Sequence, residues 1–100
     1  MRILYKPGCN SKAHTLQVPN NTTVLSQLLD GYIERYGIGN KVLILMDEDG
    51  KLKGKEPTIA DPLLGVIAGP VIFTGSRGSH IAAISDDQIE WLKERYGEWL

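Results

Sequence analysis

Cysteine is nearly absent from this 100-residue sequence, which contains only Cys9. A single cysteine excludes the internal disulfide framework that stabilises many small secreted domains. The longest apolar run is Val42–Met46, and it is far shorter than a membrane-spanning helix requires. The opening residues, MRILYKPG, lack the apolar core of a secretory signal. These absences predict a cytoplasmic protein without a membrane partner.

The sequence also has no large excess of positive or negative charge. It contains eleven Lys and Arg residues and twelve Asp and Glu residues, with no long run of either sign. This balance gives no electrostatic reason to expect nucleic acid or an anionic membrane as a partner. The sequence has no G-x-S-x-G, P-loop or G-x-G-x-x-G motif, and no C-x-x-C or H-x-x-x-H spacing. We therefore predict no catalytic residues, no metal and no cofactor.

The length and the apolar share of 42% predict a single domain over residues 1–100. Its central feature is the run Val42–Met46, which predicts a strand buried on both faces. The Asp47–Gly50 segment then predicts a turn. It is not an EF-hand loop, because Leu45 would occupy the first ligand position.

The segment after this turn predicts a returning strand on which Lys51, Lys53 and Lys55 share one face. That face is either a solvated edge or a row of phosphate contacts. Pro57–Pro62 is predicted to be irregular, because each proline lacks an amide donor. Asp61 and Pro62 then resemble the start of one or two helical turns through Ile67, followed by a strand at Val71–Thr74.

The first third of the chain predicts strands at Arg2–Lys6 and Ala13–Val18, followed by a helix capped within Asn20–Thr22. Leu25, Leu28 and Leu29 form the apolar face of this helix. Its end is ambiguous. The helix either continues to Tyr36 or ends at Gly31, with a strand at Tyr32–Tyr36.

The C-terminal segment predicts a strand at His80–Ile84 and then a capping box, with Ser85 at the cap and Gln88 three residues later. Trp91 and Arg95 are spaced to stack on the following helix. Together these patterns predict an α+β fold: a mostly antiparallel sheet of five to six short strands with two main helices.

The most suggestive candidate site is the segment Gly75–Ser79. Glycine amides can form an anion nest, serine hydroxyls can add donors, and Arg77 can bind a phosphate through its guanidinium fork. The alternative is a plain hairpin turn. If the ligand is a nucleotide, a tyrosine could stack on its base. The candidate ligand-binding residues are Gly75, Ser76, Arg77, Gly78, Ser79, Lys51, Lys53, Tyr32 and Tyr36.

Four short motifs occur in a recognisable order: Gly31–Glu34 (GYIE), Glu48–Leu52 (EDGKL), Ile67–Gly69 (IAG) and Ser85–Ile89 (SDDQI). In this order the sequence resembles a bacterial family of unknown function that is frequent in phages and integrative mobile elements. Members tend to carry glycine where this chain has Asp30. The resemblance favours a helix that ends at Asp30, with a strand after it.

The resemblance implies a small non-catalytic binding protein in the cytoplasm of a bacterial host. It would act in counter-defence, by sequestering a phosphate-bearing nucleotide signal or by capping a host defence protein. Two alternatives remain open. One is a small phosphodiesterase or nuclease. The other is a homo-oligomerisation module that uses Trp91, Tyr96 and Trp99 as its interface.

Overall fold

A computed structural model describes residues 1–100 as eight strands, two α-helices and a short 3₁₀ turn. In chain order the elements are β1 (Arg2–Lys6), β2 (His14–Gln17), α1 (Thr22–Leu29), β3 (Ile33–Gly39), β4 (Val42–Asp47), β5 (Pro57–Asp61), β6 (Gly65–Ala68), β7 (Val71–Arg77), β8 (His80–Ala82), α2 (Asp86–Tyr96) and the 3₁₀ turn Gly97–Trp99. Neither α-helix has the length and apolarity needed to cross a bilayer.

The main sheet has six strands, all paired antiparallel, in the order β2-β1-β7-β4-β3. The sixth strand, β8, pairs with the far end of β7, and Ile84 N–H donates to the carbonyl of Arg2 just beyond it. Strands β5 and β6 form a separate antiparallel hairpin. The predicted α+β class is confirmed.

The main sheet is covered on both faces. Helix α1 packs on one face, where Ile3, Leu25, Leu29, Leu45 and Ile72 form a buried cluster. Helix α2 and the β5–β6 hairpin cover the other face and enclose a larger cluster that includes Ile44, Phe73 and Leu92. Neighbouring residues of β4 therefore enter different cores, which explains why this strand is apolar without alternation.

Helix α1 begins as predicted. The Asn21 side chain accepts hydrogen bonds from the amides of Thr23 (2.8 Å) and Val24 (3.3 Å). The helix ends at Leu29, and the following segment is strand β3, so the alternative with a strand is the correct one.

The left-handed residue at the end of α1 is Asp30, with φ of 54°, and not Gly31. Glycine is required at position 31 for a different reason: a Cβ there would overlap the carboxylate of Asp47.

Helix α2 confirms the predicted capping box. Ser85 Oγ accepts from Gln88 N (3.1 Å), and Gln88 Oε1 accepts from Ser85 N (2.9 Å). The Arg95 guanidinium lies 5.5 Å from the centre of the Trp91 ring, which confirms the predicted stacking. Gln88 also donates from Nε2 to the carbonyl of Lys41 (3.1 Å), so the start of α2 holds the β3–β4 turn.

The prediction for residues 57–67 was wrong. Residues 57–61 form β5, and residues 65–68 form β6 instead of helical turns. Pro57 is tolerated because it is the first residue of its strand, and Pro62 lies in the turn. Asp61 does accept from the amides of Leu63 (2.7 Å) and Leu64 (2.9 Å), but Gly65 with φ of 77° directs the chain back into a strand.

The returning strand predicted at Lys51–Lys55 is also wrong, because residues 48–54 form turns. The three lysines therefore do not share a strand face. Lys53 and Lys55 form ion pairs with Asp47, whereas the exposed side chain of Lys51 makes no hydrogen bond or ion pair. Attraction to the buried Asp47 carboxylate therefore orients Lys53 and Lys55, and the alternation of a strand does not.

Thr58 is the one residue whose buried side-chain hydroxyl has no hydrogen-bond partner. It lies at the register shift between Pro57 and Ile59. Removing an unsatisfied buried hydroxyl at constant shape is neutral or favourable. We therefore expect Thr58→Val to raise the free energy of unfolding by up to about 1 kcal/mol, measured by urea denaturation.

The matched control is Thr74→Val, because the buried Thr74 hydroxyl donates to the carbonyl of Gly75 (2.9 Å). This variant should lose about 1 kcal/mol. An equal loss in both variants would mean that the Thr58 hydroxyl is bonded through a water molecule.

Candidate functional site

A groove of about 380 Å³ lies between the β5–β6 hairpin, the turn that follows β4, and the face of β3 and β4. We call it the apolar groove. Met46, Ile67 and Ala68 are buried residues of its lining. Tyr36, Leu52, Leu63 and Val66 are its exposed apolar residues, and we call these four the rim.

The rim residues are unusually accessible for large apolar side chains, at 88% for Leu52, 76% for Leu63, 47% for Val66 and 41% for Tyr36. A single exposed leucine is normal on any protein surface. Four such side chains around one depression form a patch, and patches of this kind mark places where a protein binds a partner.

The charged lining of the apolar groove is mostly acidic. Glu34 and Glu48 make no ion pair, and Lys51 is the only base of the lining. The Tyr36 hydroxyl donates to Glu34, and this bond to a carboxylate raises the pKa of Tyr36. The bond also fixes both side chains beside the groove.

Two of the strands that contribute to the groove wall, β3 and β6, have one unpaired edge each. Strand β3 pairs only with β4, and β6 pairs only with β5. The backbone groups on such edges are free to pair with another extended segment. Both an apolar surface and unused backbone groups therefore meet at this groove.

The predicted Gly75–Ser79 site has a different structure from the loop that the sequence suggested. Gly75, Ser76 and Arg77 belong to β7, and only Gly78 and Ser79 form the turn to β8. Gly75 is buried against the carbonyl of Ala83, and Ser76 Oγ donates to the carbonyl of Lys41 (3.1 Å). Arg77 remains exposed, with no hydrogen bond or ion pair from its side chain.

Lys53 and Lys55 are engaged in a buried cluster around Asp47. The Asp47 carboxylate lies 2.6 Å from Lys55 Nζ and 3.0 Å from Lys53 Nζ, and it accepts from Asp49 N at 3.0 Å. Burial alone would raise the pKa of Asp47, but these donors lower it to about 2.

The same lysines also bind the end of α1. Lys55 Nζ donates to the carbonyls of Leu29 (3.0 Å) and Asp30 (2.8 Å), and Lys53 Nζ donates to that of Asp30 (3.1 Å). Carbonyls at a helix C-terminus lack partners within the helix, so cations stabilise them. Asp47, Lys53 and Lys55 therefore have a structural role, because together they join the end of α1 to the main sheet.

A second buried carboxylate, Asp61, ties the β5–β6 turn to α2. It accepts from Arg95 Nε and Nη2 (each 3.2 Å), from the Tyr96 hydroxyl, and from two amides of its own turn. Burial would raise the pKa of Asp61, but these donors keep it below its usual value. Tyr96, one of the three aromatic residues considered for a subunit interface, is buried in the core, and its pKa is raised by burial and by the bond to Asp61.

The structure does not gather the predicted site residues into one place. Tyr36 and Lys51 line the apolar groove, whereas Tyr32 lies beside α1 in a shallower depression with Thr22 and Gln27. Arg77 lies at the other end of the sheet, because β7 runs antiparallel to β4 and Asp47 is the last residue of β4.

Sequence reasoning missed Leu52, Leu63 and Val66. Their one signal was the presence of large apolar residues in segments rich in glycine, proline and charge. No group of three or more His, Cys, Asp or Glu side chains is placed to hold a metal ion.

Comparison with known proteins identifies a family. The sequence profile of a domain of unknown function, DUF3846, matches residues 1–97, so the chain belongs to that family. No curated protein and no solved structure matches significantly.

Proposed function

We propose that this member of the DUF3846 family is a non-catalytic binding protein that holds a segment of another protein in the apolar groove. The observation that carries the proposal is the rim of four exposed apolar side chains around one depression. Such a surface gains stability when a partner removes it from water, by about 25 cal/mol for each Å² of apolar area.

Binding of a phosphate by the residues predicted for it is less well supported. Lys53 donates to Asp47 and to the carbonyl of Asp30, and Ser76 donates to the carbonyl of Lys41. A phosphate would have to displace these bonds. A protein segment in the apolar groove displaces none of them.

The likeness to phage and mobile-element proteins suggests what the partner is. In that setting a small cytoplasmic protein without a catalytic motif would cap a host defence protein of the bacterium. The mostly acidic lining of the groove favours a partner surface that carries basic side chains.

A nucleotide signal is the second candidate ligand, and one observation favours it. Arg77 is exposed and free of intramolecular bonds. It lies near Lys41, because Val42 pairs with Gly75 and the two chains continue side by side from there. Two cations at this end of the sheet could bind a phosphate group.

One experiment separates the two candidates. The photo-crosslinking residue p-benzoylphenylalanine, placed at Leu63 and expressed in the bacterial host, identifies the protein that contacts the groove. That protein is then purified, and its affinity for the wild type, Leu63→Asp and Arg77→Ala is measured by calorimetry. We expect Leu63→Asp to weaken binding about thirtyfold or more, as for a central interface residue, and Arg77→Ala to leave it unchanged.

The reverse pattern would contradict the proposal. If no partner depends on Leu63, and native mass spectrometry detects nucleotide adducts that Arg77→Ala abolishes, the protein is a nucleotide binder. Recovery of a chemically altered nucleotide would instead indicate a phosphodiesterase. Both substituted residues are exposed, so neither variant should change the melting temperature appreciably.

A further inference from the structure

We infer that the segment held by the apolar groove is an extended strand that pairs with the free edge of β3. The inference deepens the proposed function and depends on it. It specifies the conformation of the bound segment, the backbone groups that bind it and the side chains that it carries.

The backbone of β3 has a defined pattern of free groups. Glu48 N donates to the carbonyl of Tyr32 (2.9 Å), so Tyr32 and Glu48 form a hydrogen-bonded pair. Such pairs alternate along an antiparallel ladder. The backbone groups of Glu34 and Tyr36 therefore bond to β4. Those of Ile33, Arg35 and Gly37 point in the opposite direction, outward from the edge of the sheet.

The free edge is long enough to bind a strand specifically. Residues 33–37 keep a regular register with β4, and the register shifts only between Gly37 and Gly39. Five residues of strand span about 17 Å. Edges of this length are normally protected by proline, charged side chains, a bulge or a covering element. Residues 33–37 contain no proline, lysine or bulge, and of their two charged residues Glu34 faces the groove.

The side chains at the groove define which strand fits. Glu34 and Tyr36 point to the same face of β3, towards the groove, because side chains alternate along a strand. A paired segment would place every second side chain on this face. One of these side chains would contact Tyr36 and Leu52, and the next would lie by the carboxylates of Glu34 and Glu48, which have no cationic partner in the chain.

The bound segment is therefore an extended peptide in which an apolar side chain and a Lys or Arg side chain are two residues apart. Main-chain bonds to β3 would supply affinity, and the groove would supply selectivity, as in other cases of strand addition. A helix would leave the edge groups of β3 unused.

The test uses a displayed library of random twelve-residue peptides, selected on the purified full chain. Affinity of the best peptides is then measured for Arg35→Pro and for its matched control, Arg35→Ala. Proline removes the outward amide of residue 35 without removing a bond to β4. Both variants lose the same side-chain bond, from Arg35 Nη2 to the carbonyl of Ser79 (3.2 Å).

We expect the selected peptides to carry the alternating apolar and basic pattern. Arg35→Pro should weaken binding at least about tenfold relative to Arg35→Ala. Since the proline variant could fail to fold, peptides N-methylated at single positions are also tested on the wild type. N-methylation should abolish binding at alternate residues only.

The outcomes distinguish this inference from the proposed function. If Leu63→Asp abolishes binding but Arg35→Pro and N-methylation have no effect, the groove binds peptides without strand pairing, and only the present inference fails. If no selected peptide depends on Leu63, the proposed function fails as well. A concentration-dependent dimer in light scattering that Arg35→Pro disrupts, with no peptide bound, would show that β3 pairs with a second copy and would overturn the inference.

Discussion

Asp47→Asn should lower the free energy of unfolding by about 3 kcal/mol. It leaves the largely buried Lys55 with only the exposed Asp30 carboxylate, at 3.7 Å, as a counter-charge. The Asp47 carboxylate is 1% exposed and lies 2.6 Å from Lys55 Nζ, whose side chain is 15% exposed. The neutral amide can still accept hydrogen bonds but carries no charge. Guanidinium denaturation followed by Trp fluorescence measures the change.

Asp49→Asn is the matched control, because it removes a carboxylate from the same turn. The Asp49 side chain makes no ion pair or hydrogen bond. Its loss should change the free energy of unfolding by less than about 0.5 kcal/mol. If the two variants are equally stable, the Asp47 cluster is not a major source of stability.

The free energy of unfolding should depend on the ionisation of Asp47 at acidic pH. In the folded protein the pKa of Asp47 is about 2, below its ordinary value of 3.8. The ionised group therefore adds stability at any pH above 3.8, and this contribution is lost as the pH falls from about 4 to 2. The contribution is about 2 kcal/mol. The difference between wild type and Asp47→Asn should shrink over this interval and not at neutral pH.

Asp61→Ala is expected to be at least as harmful, with a loss of about 4 kcal/mol. The substitution removes the partner of the Arg95 guanidinium and of the buried Tyr96 hydroxyl, and it leaves the amides of the β5–β6 turn unbonded. Removing one member of a buried ion pair typically costs about 3–5 kcal/mol. Chemical denaturation provides the measurement, with the exposed Glu94→Ala as a control for loss of charge.

A double-mutant cycle tests whether the Tyr96 hydroxyl stabilises the fold through its bond to Asp61. Tyr96→Phe alone should cost about 1 kcal/mol, but in the Asp61→Ala background it should cost almost nothing, because the acceptor is already absent. Additive losses would mean that the Tyr96 hydroxyl gains its stability elsewhere.

The parts of the fold that depend on neighbouring residues could be predicted from the sequence. The strand Val42–Met46, the leucine face of α1 and the Ser85–Gln88 capping box each follow from a local pattern. Strand β5 could not be predicted in this way. Pro57 at its start and Pro62 just after its end argue against regular structure, whereas pairing with β6 and burial of Ile59 stabilise the extended conformation.

The candidate site was predictable only in part, since the fold assembles it from distant segments. The sequence suggests base stacking for Tyr36 and phosphate contact for Lys51, and both residues line the groove for unrelated reasons. It also suggests a free cation at Lys53, but the partner of Lys53, Asp47, can be recognised only from the folded turn. Leu52, Leu63 and Val66 become a surface only when the β5–β6 hairpin packs beside β3.

The position of β7 in the sheet has a consequence for how the protein is made. Strand β1 is synthesised first but pairs with β7, with Leu4 opposite Phe73. A nascent chain on the ribosome therefore exposes Ile3 and the leucines of α1 until residues 71–77 emerge. Pairings between such distant segments slow folding. In the cell the growing chain consequently has an interval in which a chaperone can bind it, before β7 joins β1 to β4.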